Sequence, residues 1–160
     1  ITRAMSRTIL FVCSGNTCRS PMASAIARSL IDEDRDGLKT RVLSAGTSTL
    51  SGAPASPEAI EALRRMDVML DSHASRSLTR ELLTQADIIF VMTHSHRDRI
   101  LALDPESASK VYLLDPDDRD VPDPFGQSQS MYDETARRLD AMIRARMKEL
   151  DALDPKERAS

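Results

Sequence analysis

The sequence predicts an α/β fold: a doubly wound, four-stranded parallel sheet with helices on both faces. Four short, largely apolar runs at residues 8–12, 41–45, 88–92 and 110–114 have the continuous hydrophobicity of strands covered on both sides. Helix-patterned segments separate them, so each connection is a crossover and the strands run parallel. The chain has 160 residues and no repeat, low-complexity tract or linker, which is the size of a single core.

The first run, Thr8 to Val12, stops at a polar, glycine-bearing turn. Pro21 sits where the first turn of a helix tolerates it, and Met22, Ile26 and Leu30 with Ala23, Ala27 and Ile31 make an apolar stripe. The polar run 32–37 ends that helix. After the second strand comes a loop of small residues, 46–54. Ser56 then has N-cap chemistry, with Pro57 in the first helical position, Glu58 in the positive first turn, and Ile60, Leu63 and Met66 on the buried face. Leu82 and Leu83 close a short helical segment before the third strand. A helix is expected over 95–103, with Ser95 and Asp98 in capping-box spacing and Pro105 as its stop. The last strand leads into an acidic, proline-punctuated loop, 115–123. Thr135, Leu139, Met142, Arg146, Leu150 and Leu153 then mark one side of a long terminal helix. Residues 1–7 read as an N-terminal extension and 154–160 as a frayed tail of a single domain spanning 1–160.

Composition excludes several classes. Hydrophobic residues at 41% and charged residues at 29% are ordinary globular values. No apolar run approaches the roughly 20 residues of a membrane span, and the N-terminal run is too short for a signal segment. A net charge of -3 without a basic cluster argues against a nucleic-acid partner. The two cysteines, Cys13 and Cys18, are too few for a disulfide scaffold, and their closeness fits a reduced, cytoplasmic setting. A monomer is the expectation for so small a domain.

The turn after the first strand reads Cys13, Ser14, Gly15, Asn16, Thr17, Cys18, Arg19, Ser20 and opens directly into a helix. Successive backbone N–H groups in such a loop curl around an anion, and the helix adds the positive end of its dipole. Gly15 and Asn16 tolerate positive φ. A cysteine at the loop floor is expected to have its thiolate stabilised by these fields. Ser20 can donate another hydrogen bond. Arg19 returns a planar fork that can grip two phosphate oxygens at once. A nucleophile, a charge clamp and amide donors converging on one phosphorus are what covalent phosphoryl transfer requires.

Cys-x5-Arg-Ser-Pro near the N-terminus of this framework resembles the low-molecular-weight protein phosphatase family. The resemblance extends to Ser44-Ala45-Gly46-Thr47, to His73 within Ser72-His73-Ala74-Ser75-Arg76, to Ala86-Asp87 and to Asp123-Pro124-Phe125-Gly126. It implies Cys13 as nucleophile, Arg19 as phosphate clamp and Asp123 as general acid, with no metal and no cofactor. It also implies that Asn16, Ser20, Ser44 and His73 form a hydrogen-bond network behind the loop, and that the partner is a phosphorylated protein or peptide.

Thr17 and Phe125 bear on which phosphorylated side chain is taken. Tyrosine-directed members of the family usually have a bulky aliphatic residue where Thr17 stands and tyrosines after Asp-Pro, where this chain has Phe125 and Gly126. Thr17, the Met92-Thr93-His94 run and the Asp-Pro-Phe-Gly segment resemble the bacterial protein-arginine phosphatases, which implies phosphoarginine as substrate and leaves phosphotyrosine as the alternative. The arsenate reductases of the same scaffold need resolving cysteines downstream, and no cysteine follows Cys18. A non-catalytic anion-binding module is disfavoured by the joint presence of Cys13 and Asp123.

Cys18 is either a redox partner for Cys13 or a small buried hydrophobe under the loop. His94 and His96, two apart on a helix, have no partner cluster for a metal and fit surface or capping roles. The run Asp115, Asp117, Asp118, Asp120 and Asp123 fails the EF-hand calcium pattern, with Arg119 at a ligand position and Asp120 at the turn glycine.

Overall fold

The computed structural model describes residues 6–31, 39–70 and 72–158. Its strands are β1 (Ser6–Cys13), β2 (Lys39–Gly46), β3 (Ile88–Val91) and β4 (Val111–Leu113), all parallel, in the order β2-β1-β3-β4. After β1 the chain crosses to β2 on one side and then returns to β3 on the other. The carboxyl ends of β1 and β3 therefore form a topological switch point, where open α/β sheets hold their ligands. Register brings Cys13 beside Gly46, and Val12 beside Val91, at that edge.

Seven helices are described: α1 (Arg19–Leu30), α2 (Pro57–Arg64), α3 (Arg80–Gln85), α4 (His94–Leu103), α5 (Gln129–Met147), α6 (Leu150–Leu153) and α7 (Pro155–Arg158). Alternate residues of β1 feed two cores. Ile9 and Phe11 join Phe90, Met22, Ile26, Leu63, Tyr132, Leu139 and Ile143 on the face covered by α1, α2 and α5. Leu10 and Val12 join Leu43, Ile89, Val91, Leu82, Leu83 and Ile100 on the face covered by α3 and α4. Both sides of the sheet are thus dry, which is why the strands lack polar alternation.

Several boundaries move. Helix α4 begins at His94, with Thr93 as its cap: Thr93 leaves β3 in an extended conformation and its Oγ1 accepts from the His96 N–H, so Ser95 and Asp98 form no capping box. The long terminal helix divides into α5, capped by Ser128, and α6. A 3₁₀ segment, Pro105–Lys110, lies between α4 and β4. The polar run expected to end α1 lies outside the described residues.

Neither end is as loose as the sequence suggests. Ser6 and Arg7 belong to β1, pairing with Lys39 and Thr40. Arg7 is buried and donates through Nε to Asp154 at 3.0 Å and through Nη2 to Asp151 at 2.7 Å. Asp154 is only 1% exposed, and α7 follows it. Residues 154–158 are thus anchored rather than frayed, because a buried guanidinium at the start of the sheet needs their carboxylate.

Candidate active site

Between β1 and α1 the chain makes a single loop over residues 14–18. Asn16 is left-handed, with φ 56°, a conformation that asparagine tolerates better than most residues. Its side chain fixes that turn. Nδ2 donates to Ser20 Oγ at 2.8 Å and to Ser44 Oγ at 2.9 Å, while Oδ1 accepts from the Arg76 N–H at 2.9 Å. His73 Nε2 donates to the Asn16 carbonyl at 2.7 Å. Burial and the charges of Arg28 and Arg76 hold the His73 imidazole below its ordinary range. The structure therefore brings together Asn16, Ser20, Ser44 and His73.

The carbonyls of this loop are accounted for one by one. Cys13 O accepts from Thr47 N, Ser14 O from Ser48 N, Gly15 O from Thr49 Oγ1, Asn16 O from His73 and Thr17 O from Ser56 N. Among the described residues, no backbone carbonyl takes the N–H groups of Ser14, Gly15, Thr17 or Cys18. A loop whose acceptors are satisfied and whose donors are spare is an anion receptor. Gly46 permits this packing: a Cβ there would overlap the Ser14 carbonyl oxygen and reach within 3.0 Å of Thr49 Cγ2.

Cys13 lies at the floor, 2% exposed, with Sγ 2.9 Å from Ser20 Oγ. Burial pushes its thiol above the ordinary range, while the Ser20 hydroxyl and N–H, the Arg19 charge and the Asn16 N–H pull it down. The sequence expectation of a stabilised thiolate counted those donors but not the desolvation of a sulfur buried this deeply.

Arg19 is buried at the first position of α1. Nη1 donates to the Val121 carbonyl at 2.8 Å, and Nη2 stands 3.5 Å from Asp123 Oδ2. Its Nε is buried and has no hydrogen-bond partner among the described residues. An orphaned charged donor beside spare amides is a strong pointer to an anion. Asp123 is half-exposed, and its Oδ1 accepts from Phe125 N at 3.1 Å. Cys13, Thr17, Arg19, Ser48, Asp123 and Phe125 line a cleft of about 240 Å³. The Phe125 ring is exposed at its rim.

One side chain of α4 also touches the loop. His96 is buried, with Nε2 2.9 Å from Ser14 Oγ and Nδ1 3.0 Å from Thr93 Oγ1. Burial and the Arg19 charge lower its pKa to about 4, so it is neutral at physiological pH. Sequence reasoning missed this contact because helix spacing does not report which residue faces another loop. His94, by contrast, is half-exposed and bonded to Asp120 and Asp118. The Cys18 sulfur faces Tyr132 OH at 3.3 Å and Ser56 Oγ at 3.5 Å, so only its backbone N–H is available to a bound anion. Both cysteines are free thiols.

Comparison with known proteins agrees with this geometry. The family model described as low molecular weight phosphotyrosine protein phosphatase matches residues 8–156. The chain belongs to that family. It is therefore a cysteine-dependent protein phosphatase. The low molecular weight phosphatases similar to it include a protein-arginine-phosphatase of Bacillus subtilis (strain 168), 40% identical over 146 residues, which cover 89% of this chain and 95% of that protein. The protein-tyrosine-phosphatase PtpB of Staphylococcus epidermidis is 36% identical over 134 residues, covering 82% and 90%. A solved YwlE arginine phosphatase, a Cys→Ser variant with a phosphorylated active-site serine, superposes with a TM-score of 0.81 at 39% identity, covering 89% of this chain and 95% of that one. Among the described residues, no helix of this family member is long and apolar enough to cross a membrane.

Proposed function

We propose that the protein hydrolyses phosphoarginine in proteins or peptides through a phosphocysteine intermediate. The observation that carries the covalent chemistry is the convergence of the Cys13 sulfur, the orphaned Arg19 Nε and the spare loop amides on one cleft. In the first step the Cys13 thiolate attacks phosphorus in line as the phosphorus–nitrogen bond breaks, and protonated Asp123 gives its proton to the departing guanidine nitrogen. Arg19 and the amides hold the charge on the equatorial oxygens. In the second step Asp123, now a carboxylate, takes a proton from the water that attacks phosphorus, the sulfur–phosphorus bond breaks and phosphate leaves. The YwlE structure, in which a serine standing for a cysteine of the active site is phosphorylated, supports a covalent intermediate on a cysteine.

The choice of phosphoarginine rests on Thr17. It lines the cleft, where a small polar side chain leaves room for a planar guanidinium that Asp123 faces across the opening. The similarity to an arginine phosphatase supports the same choice. Phosphotyrosine is the second reading, favoured by the Phe125 ring at the rim and by the similarity to PtpB.

Turnover of phosphoarginine and phosphotyrosine versions of one peptide, by the wild type and by Thr17→Ile, separates the two. The expected result is a preference for phosphoarginine that Thr17→Ile reverses. A wild-type preference for phosphotyrosine that the substitution leaves unchanged overturns the assignment.

A further inference from the structure

His96 is a buried titratable side chain to which neither step of the hydrolysis gives a part. It stands at the third position of α4, whose cap, Thr93, follows β3, and it reaches Ser14, the residue that follows β1. The two strands are neighbours in the sheet, and where they end the Met92 N–H donates to the Val12 carbonyl at 3.1 Å. Thr93, His96 and Ser14 therefore bridge the switch point from rigid elements, and Ser14 lines the cleft over Cys13.

The protons of these three groups can be followed. Thr93 Oγ1 accepts from the His96 N–H at 3.2 Å as the helix cap, which leaves its own proton, and His96 Nδ1 lies 3.0 Å away. Nε2 of the same ring lies 2.9 Å from Ser14 Oγ. Burial and the Arg19 charge keep the imidazole neutral, so it has one N–H and one lone pair for the two hydroxyls. Two arrangements satisfy them. In the first, Nδ1–H donates to Thr93 and Ser14 gives its proton to Nε2, which turns the Ser14 lone pairs toward the cleft. In the second, Thr93 donates to Nδ1 and Nε2–H donates to Ser14, and the Ser14 proton is left for the cleft. Phosphoryl oxygens carry negative charge and repel lone pairs, and the rest of the loop meets them with donors. An anion in the cleft stabilises the second arrangement.

We propose that Ser14 donates its hydroxyl proton to the phosphoryl group, and that His96, held by Thr93 with its proton on Nε2, is the positioning residue that turns Ser14 that way. The proposal rests on the reading of the cleft as a phosphoryl site. It holds for a guanidine or a phenol as leaving group, because the hydroxyl meets the oxygens on phosphorus.

The test is a titration of the full chain with inorganic phosphate, followed through the Gly15 and Thr17 amide NMR shifts. At saturation, long-range nitrogen–proton spectra of the wild-type imidazoles should show His96 protonated at Nε2, its signals being those lost in His96→Leu. Ser14→Ala should weaken phosphate by about tenfold, the worth of one hydrogen bond to a charged group. His96→Leu should weaken it by a smaller factor and add nothing further in Ser14→Ala/His96→Leu, because it acts through Ser14. A merely structural role would add its own loss to that of Ser14→Ala. A proton on Nδ1 in the phosphate-bound state, unchanged affinity in Ser14→Ala, or additive losses each overturns the proposal and leaves the phosphoryl site standing. Gly15 and Thr17 amides that do not respond to phosphate overturn both.

Discussion

Arg19 Nη2 and Asp123 Oδ2 face each other at 3.5 Å across the cleft, the arginine side chain 5% exposed and the carboxylate 46% exposed. The arginine is locked by the Val121 carbonyl, whereas the half-exposed carboxylate reaches the cleft opening. The proposed clamp and the proposed acid thus meet in one small space.

Asp123→Asn keeps the shape of that wall but supplies no exchangeable acid proton. We expect kcat to fall by about 10²–10⁴-fold, the usual contribution of a positioned general acid. The loss should be steepest for aryl phosphates with poor leaving groups and slight for good ones. A uniform loss across a leaving-group series would assign Asp123 a binding role instead.

Ser20→Ala removes, after burial, the largest influence on Cys13, and one that lowers its thiol. The folded-state pKa of Cys13 therefore rises further, and the pH profile for inactivation by iodoacetate shifts to higher pH than in the wild type. An unshifted profile would show that the 2.9 Å contact does not tune the sulfur.

His96 is buried and neutral, with its pKa lowered to about 4. A base whose folded pKa lies below its unfolded value binds fewer protons folded than unfolded, so stability falls as pH drops from the ordinary histidine value, about 6.5, toward 4. His96→Asn should flatten that decline in urea-midpoint measurements across the interval. Ser14 then loses its imidazole partner, and KM for phosphorylated substrates should rise even at neutral pH.

Gly46→Ala forces a methyl group against the Ser14 carbonyl, Thr49 and the Asn16 Cβ. Overpacking of this kind costs about 1–3 kcal/mol. The strained neighbours belong to the Cys13 loop, so affinity for inorganic phosphate as an inhibitor should weaken along with thermal stability. Lost stability at unchanged phosphate affinity would place the strain elsewhere.

The parts of this molecule that were legible in the sequence are those whose partners are close in the chain or whose pattern is apolar. The strands were visible because both faces of the sheet are buried, and the Cys13-to-Ser20 loop because its donors follow one another in order. The groups that complete the loop were hidden for a physical reason. Thr47, Ser48 and Ser56 act through backbone N–H groups, and Val121 through its carbonyl; nearly every residue carries such groups, so sequence identity does not mark them. His96 resembled a surface residue because its contact with Ser14 spans 82 positions. The desolvation of Cys13 was hidden too, since depth is a property of the packed fold.

The bond from Arg7 to Asp154 spans 147 positions. It has a consequence for biosynthesis. Arg7 lies in an inner strand of the sheet, yet its buried carboxylate partner follows α5 and α6, so a growing chain holds that cation uncompensated until residue 154 has emerged. The inner strand can collapse early, but its charge is neutralised only when this contact of high sequence separation closes, which makes that closure a late step of folding.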